Sequence, residues 1–138
     1  MTITTPFALR LSLAQGRFDR GEFSEAATAL AELVDELETG SGSLAEHVTH
    51  GTSDLRMLLA RAYFHSAQLG RAESTLTRIV ADEPTDGYAH LLLGRTLQRA
   101  GRHEEAARPL ALAEVLGGYE RPAVYGSPDP TDPTDPTD

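Results

Sequence analysis

Residues 86–118, DGYAHLLLGRTLQRAGRHEEAARPLALAEVLGG, decide the fold of this chain. The stretch contains two amphipathic helical patterns, one on each side of Ala100-Gly101. Gly94 and Ala106 are small residues at the points where two paired helices have to approach closely. The apolar stripes consist of Leu92, Leu93, Thr96 and Leu97 in the first helix and Ala106, Leu110 and Ala113 in the second. Because neither helix can bury its stripe by itself, the stretch predicts a stack of helix pairs.

The same layout occurs twice more in the chain. A shift of 34 residues superimposes the stretch on an earlier copy, and a shift of 46 superimposes that copy on the beginning of the chain. The pairs at 34 are Leu58–Leu92, Leu59–Leu93, Ala60–Gly94, Ala72–Ala106 and Leu76–Leu110. The pairs at 46 are Leu13–Leu59, Ala14–Ala60, Phe23–Leu69, Ala26–Ala72, Leu30–Leu76 and Leu33–Ile79. The difference between the two shifts predicts an insertion over 41–52.

The composition excludes several classes of partner and chemistry. The chain has 138 residues and a formal net charge of −9, which argues against general binding to nucleic acid or to an anionic membrane. It has no Cys, so disulfide and thiolate chemistry are excluded. The sequence contains no apolar run long enough to span a membrane and no pattern of a signal peptide at its start. We therefore expect a cytoplasmic protein.

Helix caps and breakers predict six helices and an all-α fold. The first helix is expected over 6–20 with Thr5 as its N-cap, and the second over 25–38 with Ser24 as its N-cap. The third is expected from Ser53 or Asp54 to about Ala67, the fourth over 71–81, and the fifth after a cap at Thr85 or Asp86. The sixth restarts near His103.

These helices divide the chain into segments. We expect a lead-in over 1–6, helix pairs over 7–40, 53–86 and 87–120, an insertion loop over 41–52, and a tail over 121–138. The end of that tail, SPDPTDPTDPTD, has no apolar residue except Pro. It cannot offset the entropy of ordering by burial, so a disordered acidic tail is predicted.

The three helix pairs resemble the tetratricopeptide repeat (TPR), a helix-turn-helix unit of about 34 residues. That family has a small residue midway along the first helix, Ala near the start of the second, a later small or apolar residue, and commonly a final Pro. The corresponding residues here are Ala14, Ala60 and Gly94; Ala26, Ala72 and Ala106; Leu33, Ile79 and Ala113; and Pro84. The sequence departs from the family at the early aromatic position, which is missing, at the turn residue Ala67, and at Pro109. The resemblance implies three stacked pairs in a short right-handed superhelical solenoid.

In the tetratricopeptide family the first helices of the pairs line a concave groove that binds other proteins. The resemblance therefore implies a partner-binding groove for a peptide or a partner helix on this chain. Its residues are Gln15 and Phe18 from the first pair, Met57, Arg61, Phe64 and His65 from the second, and Tyr88, Leu91, Arg95, Gln98 and Arg99 from the third. A subgroup of the family grips chaperone tails through Lys and Asn, and this chain has neither residue type.

The groove residues combine apolar groups with positive charge. We expect an apolar floor without a core role, formed by Met57, Phe64, Tyr88 and Leu91. Arg61, Arg95 and Arg99 add guanidinium groups, which suit an acidic peptide or a terminal carboxylate. The alternative is that these arginines pair with neighbours such as Glu73 or Asp54 on a solvated face.

Histidines are the remaining candidates for chemistry. His47 and His50 have the spacing of two metal ligands on a helix, but no further ligand accompanies them, so we expect no metal site. His65 either titrates in the groove near pH 6 to 7 or is an ordinary solvated residue. His90 and His103 are expected on the surface. No catalytic constellation or phosphate-binding glycine loop is present, so we expect no cofactor and no enzyme.

The expected function is that of an interaction module, an adaptor or scaffold whose groove binds a peptide or partner helix. The alternative is a homo-oligomerising domain, such as a homodimer, that associates through the last helix pair. That pair has no evident capping helix over Leu112, Val115 and Leu116, and terminal repeats normally need a polar outer face. We expect no binding to nucleic acid or membrane.

Overall fold

Six helices make up the part of the chain that the structure describes. The computed structural model describes residues 5–39 and 45–118, and for 45–51 it describes the backbone only. The helices are α1 (Phe7–Asp19), α2 (Phe23–Thr39), α3 (Ala45–His65), α4 (Leu69–Asp82), α5 (Gly87–Arg99) and α6 (His103–Gly117). These described ranges contain no strand, which confirms the all-α prediction for them. The predicted disordered tail lies outside the described residues.

The third helix is longer than predicted. It begins at Ala45, so the expected loop over 41–52 is wrong for 45–52, and Gly51 lies inside the helix. Leu55 and Leu59, which are both buried, fix the helix further along the chain. Once a helix is nucleated, each added residue gains one hydrogen bond, whereas a glycine in the interior costs only about 1 kcal/mol.

Three of the predicted N-caps are displaced, since α3 begins before Ser53 and Asp54, and one is confirmed. Pro6, and not Thr5, is the N-cap of α1, because its carbonyl accepts the backbone N–H groups of Leu9 and Arg10. The second helix begins at Phe23, so Ser24 lies within its first turn. The Asp86 carboxylate accepts the backbone N–H of Ala89 at 3.0 Å, as an N-cap does.

The helices form three hairpins, α1–α2, α3–α4 and α5–α6, that share one turn. Gly21, Ala67 and Gly101 occupy the same place in it, with φ angles of 80°, 61° and 78°. Each donates its N–H to a carbonyl three residues back, and the next residue donates to a carbonyl five residues back. The second set of bonds joins Glu22 to Arg17, Gln68 to Tyr63 and Arg102 to Leu97. This is the Schellman arrangement, and it reverses the chain in the same way three times.

The core follows the register of small residues. Ala14 and Leu30 belong to one buried cluster, centred on α1, α2 and α3, whereas Ala60, Leu76, Gly94 and Leu110 belong to the α3–α6 part of the molecule. Each helix packs on the next along the chain, and α3 also packs on α5. Tyr63 touches both clusters. The two clusters therefore adjoin at Tyr63, whereas Leu9 and Leu13 of α1 lie outside both of them.

One predicted surface residue is buried. His90 is only 7% exposed, and its Nε2 lies 2.9 Å from the carbonyl oxygen of Pro84. The prediction that His90 lies on the surface is wrong, because the chain between α4 and α5 folds back over the first turn of α5. A backbone carbonyl is the hydrogen-bond partner of the ring, and this contact connects α5 to the segment that follows α4.

The left-handed turn residue of the second hairpin should respond to substitution. Because a side chain destabilises the left-handed conformation by about 1–2 kcal/mol, Ala67→Gly should raise the free energy of unfolding by about 1 kcal/mol, after the entropy cost of glycine. Urea denaturation measures this change. The matched control is Ala107→Gly within α6, which should lower the free energy of unfolding by about 1 kcal/mol. Equal destabilisation by both substitutions would contradict the role of Ala67.

The close approach of α5 and α6 can be tested at Gly94. A Cβ added there would lie 2.5 Å from Cδ2 of Leu110, which is itself buried. Gly94→Ala should therefore destabilise the fold by about 1–3 kcal/mol. Gly70→Ala in α4 is the control, since an added Cβ meets nothing within 4 Å and should be neutral or stabilising. Thermal unfolding measures the stability of both variants. A Gly94→Ala variant that is more stable than Gly70→Ala would contradict the close approach of α5 and α6 at Gly94.

Candidate functional site

Aromatic side chains from three helices meet at the end of the molecule where the first two hairpin turns lie. Phe18 of α1, Phe23 of α2, and Phe64 and His65 of α3 form this group, which we call the aromatic cluster. The His65 ring stacks on Phe23 with 4.7 Å between centroids, and the Phe18 and Phe23 rings meet edge to face at 5.1 Å. His65 also meets Phe18 at 5.9 Å and Phe64 at 5.6 Å. The cluster joins the first hairpin to the second.

Two arginines lie over the rings of the aromatic cluster. The Arg61 guanidinium carbon is 4.9 Å from the centroid of Phe18, and that of Arg99 is 4.5 Å from the centroid of Phe64. Each such cation–π contact contributes about 0.5–1 kcal/mol at an exposed site. Arg99 also donates a hydrogen bond to the carbonyl oxygen of Phe64, near the C-terminus of α3. Arg99 thus links α5 to α3 while part of its guanidinium faces solvent.

In the part of the chain that the structure describes, the predicted groove arginines do not pair with carboxylates. Within 5–39 and 45–118, Arg61, Arg95 and Arg99 form no salt bridge, although Arg17, Arg71 and Arg108 form none either. Glu73, which the alternative assigned to a groove arginine, pairs with Arg102 instead. The arginines with a carboxylate partner are Arg10, Arg20, Arg56, Arg78 and Arg102. Among the described residues, the two guanidinium groups over the aromatic cluster therefore have no carboxylate partner, in a chain whose net charge is −9.

His65 is held in its neutral form. Partial burial against the neighbouring rings lowers its pKa below the ordinary value of 6.5, and the positive charges of Arg61 and Arg99 lower it further. This lowering of the pKa favours the neutral ring at pH 7. The neutral ring stacks on Phe23, and the charge beside the rings comes from the two guanidinium groups.

The structure brings together five of the eleven predicted groove residues. Phe18, Arg61, Phe64, His65 and Arg99 are in or over the aromatic cluster. The other six lie outside it: Gln15 and Arg95 are exposed, Tyr88 is at the exposed start of α5, and Met57, Leu91 and Gln98 are half-buried. Arg95 is one turn before Arg99 on α5, so both project from the same face of that helix.

The expectation that the apolar floor has no core role is wrong for three residues. Met57, Phe64 and Leu91 are half-buried and pack against the core cluster. The reason is that α3 and α5 contact each other directly, which covers the side that each turns toward the other. Tyr88 differs, since 37% of it is exposed.

Sequence reasoning missed Phe23 as a site residue. The repeat register paired it with Leu69, an ordinary packing position, yet its ring is the stacking partner of His65. The available signal was an aromatic residue two places after the turn glycine Gly21, five residues from Phe18. Two aromatic residues on opposite sides of a tight turn are brought together by the turn itself.

Among the described residues, no group of three or more His, Cys, Asp or Glu is placed to hold a metal ion. The side chains of His47 and His50 lie outside the described residues. Within the same ranges, no helix combines the length and apolar character needed to cross a membrane.

Comparison with known proteins identifies no relative. No protein-family model matches the chain, and neither the curated proteins nor the solved structures contain a similar one. The function has to be inferred from the geometry of the aromatic cluster and its arginines.

The charge state of His65 gives a test of this geometry. The imidazole should titrate below pH 6.5, and Arg61→Gln and Arg99→Gln should each raise its pKa. NMR of the ring protons across a pH series measures the midpoint. Since folding lowers this pKa, protonation favours the unfolded chain, so the stability that depends on His65 is lost as the pH falls below about 6.5. A midpoint above 6.5 in the unmodified protein would contradict the described packing.

Proposed function

We propose that the chain is a tetratricopeptide-like interaction module that acts as a cytoplasmic adaptor or scaffold. In this proposal the three hairpins stack as a short right-handed solenoid, and α1, α3 and α5 line its concave side. Two observations support it: the same turn recurs at Gly21, Ala67 and Gly101, and small residues at positions 14, 60 and 94 keep the same register.

The ligand that suits the site best is an acidic peptide. The observation that carries this proposal is that Arg61 and Arg99 lie over aromatic rings and form no salt bridge with any of the described carboxylates. A guanidinium held in this way keeps donors for a carboxylate, with which it can form paired hydrogen bonds. Arg95 adds a third positive charge on the same face as Arg99. The rings of the aromatic cluster offer apolar contact beside these charges, which is the chemistry of binding and not of bond breaking.

A second candidate function is self-association through the end of α6. Val115 is 82% exposed and Leu116 is 39% exposed, and both are apolar. Burial of such side chains against a second molecule would be favourable by the hydrophobic effect. The end of α6 lies against Gly87 at the start of α5, whereas Arg99 is at the other end of α5, so the aromatic cluster and the end of α6 can act independently.

The acidic-peptide proposal can be tested with a phage-displayed library of random peptides. Selected peptides should be enriched in Asp and Glu over the starting library. Arg95→Glu should weaken binding of a selected peptide by about 10- to 100-fold, since one charge-assisted hydrogen bond is lost and a repulsion is added. Fluorescence anisotropy of the labelled peptide measures the affinity.

The matched control for this test is Arg108→Glu, which reverses an exposed charge on α6 and makes the same change in net charge. It should leave the peptide affinity unchanged. Selection of neutral or basic peptides, or equal weakening by both variants, would refute the proposal. Circular dichroism of each variant checks that the helices remain folded.

A further inference from the structure

The side of the first hairpin that faces away from α3 carries exposed leucines between charged walls. Leu9 is 51% exposed and Leu13 is 57% exposed, both on α1. Beside Leu13, α1 and α2 enclose a groove of about 400 Å³. We call this surface the N-terminal face. It consists of Leu9, Arg10, Leu13 and Arg17 from α1 and Glu25, Thr28, Ala29 and Glu32 from α2.

The register of the chain shows what covers such leucines elsewhere in the molecule. The residues 46 positions after Leu9 and Leu13 are Leu55 and Leu59, and both are buried. They lie in the core cluster that α2 forms with α3, together with Val34 of α2. The next copies, Ala89 and Leu93, are buried as well. The leucines of α1 are therefore interface residues by position, and in a single copy of this chain they remain largely exposed.

Arg10, one of the two arginines of the N-terminal face, also occupies a position that is used between hairpins elsewhere in the molecule. Arg56, which is 46 positions after Arg10, pairs with Asp82 of its own hairpin and with Glu38 of α2, at 3.2 and 2.8 Å. Arg10 pairs with Glu36, the counterpart of Asp82. Among the described residues, Arg10 has no counterpart of the second salt bridge, the one that crosses between hairpins. Arg10 therefore occupies the position at which Arg56 pairs with a carboxylate of the neighbouring hairpin.

The two walls of the N-terminal face have opposite charge, and their order matters. Arg10 and Arg17 are on α1, whereas Glu25 and Glu32 are on α2. The two helices are antiparallel, so Arg17 and Glu25 lie near the turn and Arg10 and Glu32 lie toward the other end. A two-fold axis parallel to the helices places α1 of one copy against α2 of the other. Arg17 then faces Glu25 of the second copy, and Arg10 faces its Glu32.

The other simple arrangement is unfavourable. An axis perpendicular to the helices would place α1 against α1, so that Arg10 would face Arg17 of the second copy, and like charges repel. We propose that a second copy of this chain covers the N-terminal face in the parallel-axis arrangement. Leu9 and Leu13 are then buried in both copies, and four Arg–Glu pairs surround them. This dimer uses the opposite end of the molecule from Val115 and Leu116.

The area of the N-terminal face determines how tightly the proposed dimer should associate. Thirteen residues of α1 span about 20 Å, and two helices about 10 Å apart, each about 10 Å across, cover a width of about 20 Å. Each copy therefore contributes about 400 Å², less than a standard interface. The dimer should be weak, with dissociation in the upper micromolar range, and it should weaken further as salt screens the charge pairs.

The test is a charge exchange between two variants, followed by sedimentation velocity from micromolar to millimolar concentration. Arg17→Glu places Glu opposite Glu25, and Glu25→Arg places Arg opposite Arg17, so each variant by itself should be monomeric. An equimolar mixture of the two should form a dimer again, because each copy then faces the opposite charge. No change within one chain can produce this rescue. Thermal unfolding of each variant confirms that it remains folded.

Two further variants locate the interface. Leu13→Asp should abolish dimerisation by placing a charge in the apolar centre, and Val115→Glu at the end of α6 should leave it intact. The proposal is overturned by a wild-type chain that stays monomeric at millimolar concentration, by a mixture that does not dimerise, or by a dimer that is lost only in Val115→Glu. The last result would instead assign self-association to the end of α6.

Discussion

The close approach of two helices within each hairpin is the constraint on which the rest of the structure depends. Ala14 and Leu30 are buried in one cluster and Ala60 and Leu76 in the other, and Gly94 lies directly against the buried Leu110. At Gly94 no room remains even for a methyl group. Because protein interiors are close-packed, this spacing fixes the hairpin, and the hairpin then presents its outer side chains in a set direction. The left-handed turn residues Gly21, Ala67 and Gly101 give the three hairpins the same turn geometry.

The aromatic cluster is built on that geometry. Each contributing side chain is within a turn or so of a hairpin bend, where the backbone is held by the Schellman hydrogen bonds. Arg99 connects α5 to α3 by donating to the carbonyl of Phe64, and in the proposed function it also contributes charge for an acidic peptide. A substitution of Arg99 would therefore change the packing as well as the charge. Substitution of the exposed Arg95 changes the charge on the same face without removing these contacts.

Much of the fold could be predicted from the sequence, because a 3.6-residue period and small residues in constant phase are local signals. Six helices, the cap Asp86 and the turn residue Ala67 were predicted in this way. What covers a helix face is a tertiary property, which is why His90, Met57, Phe64 and Leu91 were assigned to the surface although they are buried or half-buried. The cluster of Phe18, Phe23 and His65 depends on contacts between α1, α2 and α3, which no single helical period reports.

The ion pairs of Arg56 have a consequence for how the molecule loosens. Arg56 is well shielded from solvent and connects α2, α3 and α4 through Glu38 and Asp82, and Arg78 pairs with the same Glu38. When helical units contact mainly their neighbours, local opening can begin at an end and stop at a boundary. This charge network crosses the boundary between the first and second hairpins. The aromatic cluster has residues from both hairpins, so it is lost if either hairpin unfolds. The charge network at Arg56 favours unfolding of the two hairpins as one cooperative unit.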